Sequence, residues 1–152
     1  MCTPYVLMCY VRRCIVRYVI MLCIMLQCSI ACADTYVDMQ KIKMMESSGN
    51  PRAYNEYSHA RGLYQITPIV LEEWNNFHSR EKYELDDLFK SKVNTMIAHW
   101  YMNYRIPQML RYYGKPNTVR NRLISYNAGI DYVVRSLKLP EETIEYIRRY
   151  NN

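Results

Sequence analysis

After Asp34 the chain has no cysteine: all six (Cys2, Cys9, Cys14, Cys23, Cys28 and Cys32) precede it. The rest of the chain therefore has no disulfide framework, thiol nucleophile or cysteine-based metal site. Glycine is nearly as scarce. Its four residues, Gly49, Gly62, Gly114 and Gly129, stand singly between apolar segments. That excludes a phosphate-cradling glycine loop and reads as short helices joined by tight turns. A serine-nucleophile elbow is also missing. The three histidines, His59, His78 and His99, have no ligand-like spacing, so neither metal nor cofactor is expected. The formal charge is +6, but the basic residues are scattered and form no run, which argues against nucleic acid as a partner. There are no internal repeats, low-complexity tracts or linkers after Asp34.

Against these absences, the first third stands apart in composition. Arg12, Arg13 and Arg17 precede the apolar run Tyr18–Leu26, and the small-residue pattern Ala31-Cys32-Ala33 follows. A basic start, a short apolar core and an A-x-A-like end describe a secretory signal peptide over residues 1–33. The run falls short of the ~20 apolar residues of a transmembrane helix. The alternatives are an uncleaved membrane anchor and a lipid on Cys32. Cleavage after Ala33 removes three arginines and no acids, so the formal charge falls from +6 to +3. A mildly basic exported domain, residues 34–152, suits a polyanionic partner or simple solubility. Its length allows one domain, expected as a monomer.

Helical signals dominate the remainder. Val37, Ile42 and Met45 predict a short helix ending near Glu46. Thr67-Pro68 is a capping hydroxyl followed by proline at the first helical position. Ile69, Val70, Trp74 and Phe77 are expected to form that helix's buried stripe. Ser91 is a candidate cap for Val93, Met96, Ile97, Trp100, Tyr101 and Tyr104, the clearest helical spacing in the chain. Pro107 is expected to break or kink that helix, and Gly114 to end the next segment as a left-handed cap. Thr118 starts a helix bearing Val119, Leu123, Tyr126 and Ile130. Pro140-Glu141-Glu142 opens a last helix closing with Arg148-Arg149, in agreement with the helix dipole. The strand candidates are Leu63–Thr67 and, as its partner, Ala53–Ser58. The fold class is mainly α (α+β), with a small β element beside Glu46.

The segment Met45–Thr67, MESSGNPRAYNEYSHARGLYQIT, is the most informative. It places one carboxyl, Glu46, just before the turn Ser47-Ser48-Gly49-Asn50-Pro51, with a short segment returning beside it. That arrangement builds a cleft around an acid, and burial against apolar neighbours raises a glutamate pKa. Together with Ile124-Ser125-Tyr126-Asn127-Ala128-Gly129 and Leu139-Pro140-Glu141-Glu142-Thr143-Ile144-Glu145-Tyr146-Ile147, the segment resembles the soluble lytic transglycosylase family, which has a lysozyme-like fold and cleaves peptidoglycan. The family's glutamate-serine motif falls on Glu46-Ser47. Its glycine-leucine-methionine-glutamine motif falls on Gly62–Gln65, with Tyr64 in place of methionine. Its alanine-tyrosine-asparagine motif falls on Ser125–Asn127, with Ser125 in place of alanine. The resemblance spans Val37 to Tyr150.

The resemblance implies that Glu46 is the catalytic acid and then base. It would protonate the glycosidic oxygen and then take the C6 hydroxyl proton of the muramoyl sugar, giving a 1,6-anhydro product without water. It also implies substrate-binding roles for Ser47, Tyr64, Gln65, Tyr126, Asn127 and Tyr146, with the Tyr126 hydroxyl orienting the Glu46 carboxyl. Peptidoglycan glycan strands are the implied partner, and the cell envelope, the periplasm or the exterior the implied location, with a phage origin also open. Most glycosidases use a second carboxylate; Glu56 and Asp131 are the candidates. The competing readings are a hydrolytic lysozyme-type muramidase and a non-catalytic glycan-binding or assembly protein.

Overall fold

A computed structural model describes residues 36–152. The signal-peptide reading, its cysteines and its cleavage site lie outside the described residues. The elements in order are α1 (Met39–Ser47), α2 (Pro68–Phe77), a 3₁₀ turn (Leu85–Phe89), α3 (Ser91–Trp100), a π turn (Tyr101–Arg105), α4 (Ile106–Tyr112), α5 (Val119–Asn127), α6 (Asp131–Val134) and α7 (Glu141–Asn151).

Local chemistry explains most boundaries. The Asp38 carboxylate accepts from the Gln40 and Lys41 N–H groups at 2.9 and 3.2 Å and so starts α1. Ser48, at φ 53°, ends it by turning into the left-handed region. Thr67 caps α2 as expected, and Pro68 is its first residue. The buried stripe of α2 is narrower than the sequence suggested. Leu71 and Trp74 face the core, whereas Ile69 is 71% exposed and Phe77 is half exposed. Trp74 also donates its indole N–H to the Glu81 carbonyl at 3.0 Å, which fixes the face that turns inward.

Pro107 does not break the third helix. It lacks the N–H that would reach the Asn103 carbonyl, and its ring would clash there. The ladder widens instead, and the Ile106 N–H donates to the Tyr101 carbonyl, a π turn inserted between α3 and α4. Ser91 is the first residue of α3 and makes no side-chain cap. Gly114, at φ +63°, ends α4 as expected. Thr118 caps α5 through the Asn121 N–H at 3.1 Å.

The β element shrinks to two isolated antiparallel bridges, Tyr54 with Arg61 and Arg61 with Ile66. Leu63–Thr67 is therefore no strand. Gly62–Gln65 form a tight turn closed by reciprocal 3.0 Å hydrogen bonds between Arg61 and Ile66. The described residues are mainly helical, as expected.

Ile42, Leu88, Ile97, Met102, Ile106, Leu110 and Leu123 are fully buried in one core. With no cysteine in this region, stability depends on this burial, worth about 1.5–3 kcal/mol for each such side chain. The last helix closes the structure on the first: the Tyr150 hydroxyl accepts from the Asp38 N–H at 2.7 Å.

Candidate active site

Glu46 sits in the last turn of α1, facing an open cleft of about 710 Å³. Its carboxyl is largely enclosed by protein. Burial penalises the charged form and pushes its pKa from 4.5 to about 7. Three weaker influences act on it. The Tyr146 hydroxyl donates to Oε1 at 2.7 Å and favours the carboxylate, as does the positive charge of Arg149; the negative charge of Glu142 opposes it. Burial prevails, so Glu46 exchanges a proton near neutrality.

The floor beside Glu46 is the Arg61–Ile66 turn. Ser47 donates its hydroxyl to the Leu63 carbonyl at 2.8 Å, tying this turn to the end of α1. Asn94, wholly buried on α3, supports the turn from below. Its Oδ1 accepts from the Tyr64 N–H at 2.9 Å, and its Nδ2 donates to the Arg61 and Leu88 carbonyls at 2.7 and 2.9 Å. Only glycine fits at position 62. Its φ is +76°, and a Cβ there would lie 2.3 Å from the Leu88 carbonyl oxygen and 2.4 Å from Asn94 Nδ2. Gln65, at φ 47°, lines the cleft and donates Nε2 to the Gly62 and Ala53 carbonyls at 3.0 and 3.3 Å.

The far wall comes from α5 and α7. Tyr126 lines the cleft, but its hydroxyl is committed to the Tyr64 carbonyl at 2.7 Å. The hydroxyl that reaches Glu46 belongs to Tyr146 instead. Burial pushes both phenols up, far from ionising at neutral pH. Asn127 also lines the cleft. Its Oδ1 accepts from the buried Thr143 hydroxyl at 2.7 Å, which locks the amide and directs its donor end.

Two residues expected to touch substrate do not line the cleft. The Tyr64 ring is buried and packs edge-on against His99, because its backbone is held between Asn94 and Tyr126. The Ser47 hydroxyl is occupied by Leu63. Glu46, Gln65, Tyr126, Asn127 and Tyr146 do come together. Sequence reasoning missed Asn55, Tyr57 and Ser58 on the facing loop, and Glu142, Glu145 and Arg149 on α7. Two of the α7 residues were findable: Glu142 and Arg149 lie four residues before and three after Tyr146 and share its helical face, whereas Glu145 is its immediate neighbour. The loop residues carry no periodic signal.

The three sequence motifs thus meet around one carboxyl. A family model described as the transglycosylase SLT domain matches residues 37–147, most of the chain. The chain belongs to this family. Membership in the SLT family implies lytic transglycosylase activity on peptidoglycan, and with it action outside the cytoplasm. No curated protein and no solved structure matches the chain. Among the described residues no cluster of histidine and acidic side chains is arranged to hold a metal ion.

Proposed function

We propose that Glu46 alone serves as acid and base in cleaving the β-1,4 bond between N-acetylmuramic acid and N-acetylglucosamine. The protonated carboxyl gives its proton to the glycosidic oxygen as the C1–O bond breaks. The resulting carboxylate then takes the C6 hydroxyl proton while O6 bonds to C1. The product is a 1,6-anhydromuramoyl end; Glu46 is reprotonated and no water is consumed. The observation that carries this reading is the buried carboxyl of Glu46, held by Tyr146 at 2.7 Å with a pKa of about 7. Both protonation states are then accessible near neutrality, as a group that must donate and then accept requires. Gln65 and the Asn127 amide are the groups proposed to meet the sugar's acetamido and hydroxyl groups. Tyr126, Ser47 and the backbone of Tyr64 frame the site.

A hydrolytic muramidase is the second reading. Neither base suggested by the sequence supports it: Glu56 does not line the cleft, and Asp131 lies outside it, 3.9 Å from Arg135. Glu142 and Glu145 do line the cleft, so a base for water would have to come from α7. Glu46→Gln keeps the shape and removes the acid, so release of soluble muropeptides from sacculi should fall by ~10²–10⁴-fold. Equal release by wild type and variant would leave only the glycan-binding reading. The leader makes the same proposal specific in location. The exported chain should begin at Asp34, and N-terminal sequencing that finds residues 5–26 retained would point to a membrane anchor.

A further inference from the structure

The cleft carries more charge than a neutral glycan calls for. Besides Glu46, three charged side chains line it, all from α7: Glu142, Glu145 and Arg149. The spacing of Glu142 and Arg149, four residues before and three after Tyr146, puts these two on the face that holds it. Arg148 occupies Glu145 at 2.7 Å. Glu142 and Arg149 are exposed, and neither forms an ion pair among the described residues. Arg149 Nη2 lies 3.5 Å from the carbonyl of Met45, the residue before Glu46, so the guanidinium sits at the edge of the acid. That position works against a general acid, since a neighbouring cation favours the carboxylate. The dipole at the end of α7 does not explain it, because Arg148 already places a cation in the last turn.

We infer that Arg149 and Glu142 form a charged rail for the peptide arm of peptidoglycan, Arg149 receiving a carboxylate and Glu142 an ammonium of a zwitterionic stem peptide. The inference rests on the transglycosylase reading above. The muramoyl sugar that reacts at Glu46 carries its lactyl ether and peptide on C3, so the peptide departs from the sugar seated beside Arg149. The two side chains are seven residues apart, about 10 Å along the helix. An extended peptide of about three residues covers that span. A planar guanidinium pairs with a carboxylate in bidentate fashion, and a carboxylate accepts from an ammonium.

The test uses the Glu46→Gln protein, which holds ligand without cutting it, and measures binding of three probes by calorimetry. One is a glycan oligomer with its peptides attached. The second is the same oligomer after amidase treatment, which leaves only lactyl carboxylates. The third is an N-acetylglucosamine oligomer of equal length with no carboxylate. The peptide-bearing probe should bind roughly tenfold more tightly than the amidase-treated one, as one desolvated charge-assisted contact supplies. Adding Arg149→Gln should bring that ratio toward one, Arg149→Lys should restore part of it, and Glu142→Gln should lower it as well. Both side chains are exposed, and unchanged thermal unfolding would confirm that the variants fold. Equal affinities for peptide-bearing and amidase-treated probes, or a preference that survives Arg149→Gln, would overturn the rail and leave the glycan reading intact. Tighter binding of the amidase-treated probe, lost in Arg149→Gln, would assign the cation to the lactyl carboxylate and also end the peptide assignment. Failure of all three probes to bind, with no muropeptide release by wild type, would remove the underlying reading itself.

Discussion

The Tyr146 hydroxyl donates to Glu46 Oε1 at 2.7 Å, joining residues 100 positions apart. This bond and burial push the Glu46 pKa in opposite directions. Burial raises it and the donated hydrogen bond lowers it, with about 7 as the outcome. Because the acid must be protonated to act, kcat/KM should decline as pH rises through about 7. Tyr146→Phe removes the donor and keeps the ring. Its basic limb should move up by roughly one pH unit, and its maximal rate should fall as the carboxyl loses its orientation. A pH profile that keeps its wild-type limb would mean that Tyr146 does not act on Glu46.

The same shift makes folding stability depend on pH. The folded pKa of about 7 lies above the unmodified value of 4.5. The folded protein holds this proton more tightly, so the associated stability is full below about 4.5 and is lost as pH rises through about 7. Glu46→Gln has no proton to lose. Relative to wild type, it should gain about 2–3 kcal/mol between pH 4 and pH 8, allowing for the carboxyl's partial exposure. Denaturant unfolding of both proteins at the two pH values measures this. A difference independent of pH would mean that the carboxyl is well solvated.

Asn94 holds the cleft floor from a wholly buried position. Asn94→Ala strips one partner each from the Tyr64 N–H and from the Leu88 and Arg61 carbonyls, of which Arg61 keeps the Ile66 N–H. Leaving buried polar groups unmatched costs about 1–3 kcal/mol each before relaxation or water entry. The midpoint of denaturant unfolding should therefore drop by the equivalent of at least about 2 kcal/mol. Gly62→Ala should do at least as much harm, since its Cβ would overlap the Leu88 carbonyl and the Asn94 amide. A neutral Asn94→Ala would show that the turn stands without this support.

Local signals in the sequence foretold the helices well. Thr67-Pro68, Thr118, Gly114 and the Pro140-Glu141-Glu142 start all carry their cause within a few residues, and each sits where its chemistry requires. Long-range partnerships were less legible. Nothing near Tyr126 or Tyr146 reveals which hydroxyl reaches Glu46, because that depends on how α7 crosses α1. The apolar-polar alternation of Leu63–Thr67 reads as a strand, yet the turn is set by Gly62 and by Asn94 more than thirty residues later. Asn94 itself looks like an ordinary polar position in an amphipathic helix. Pro107 carried the right warning, but the π turn absorbs the missing hydrogen bond without ending the helix.

The mass of the products shows whether a single carboxyl gives and then retakes a proton while the sugar's own hydroxyl attacks. The attacking hydroxyl is tethered to the reacting sugar, which gives intramolecular closure a large entropic advantage over water. Peptidoglycan digested by the wild-type protein should yield muropeptides with 1,6-anhydromuramoyl ends, each lighter by one water than its hydrolytic counterpart in mass spectrometry. Predominantly reducing ends would mean that water attacks instead, with Glu142 or Glu145 on α7 as its candidate base.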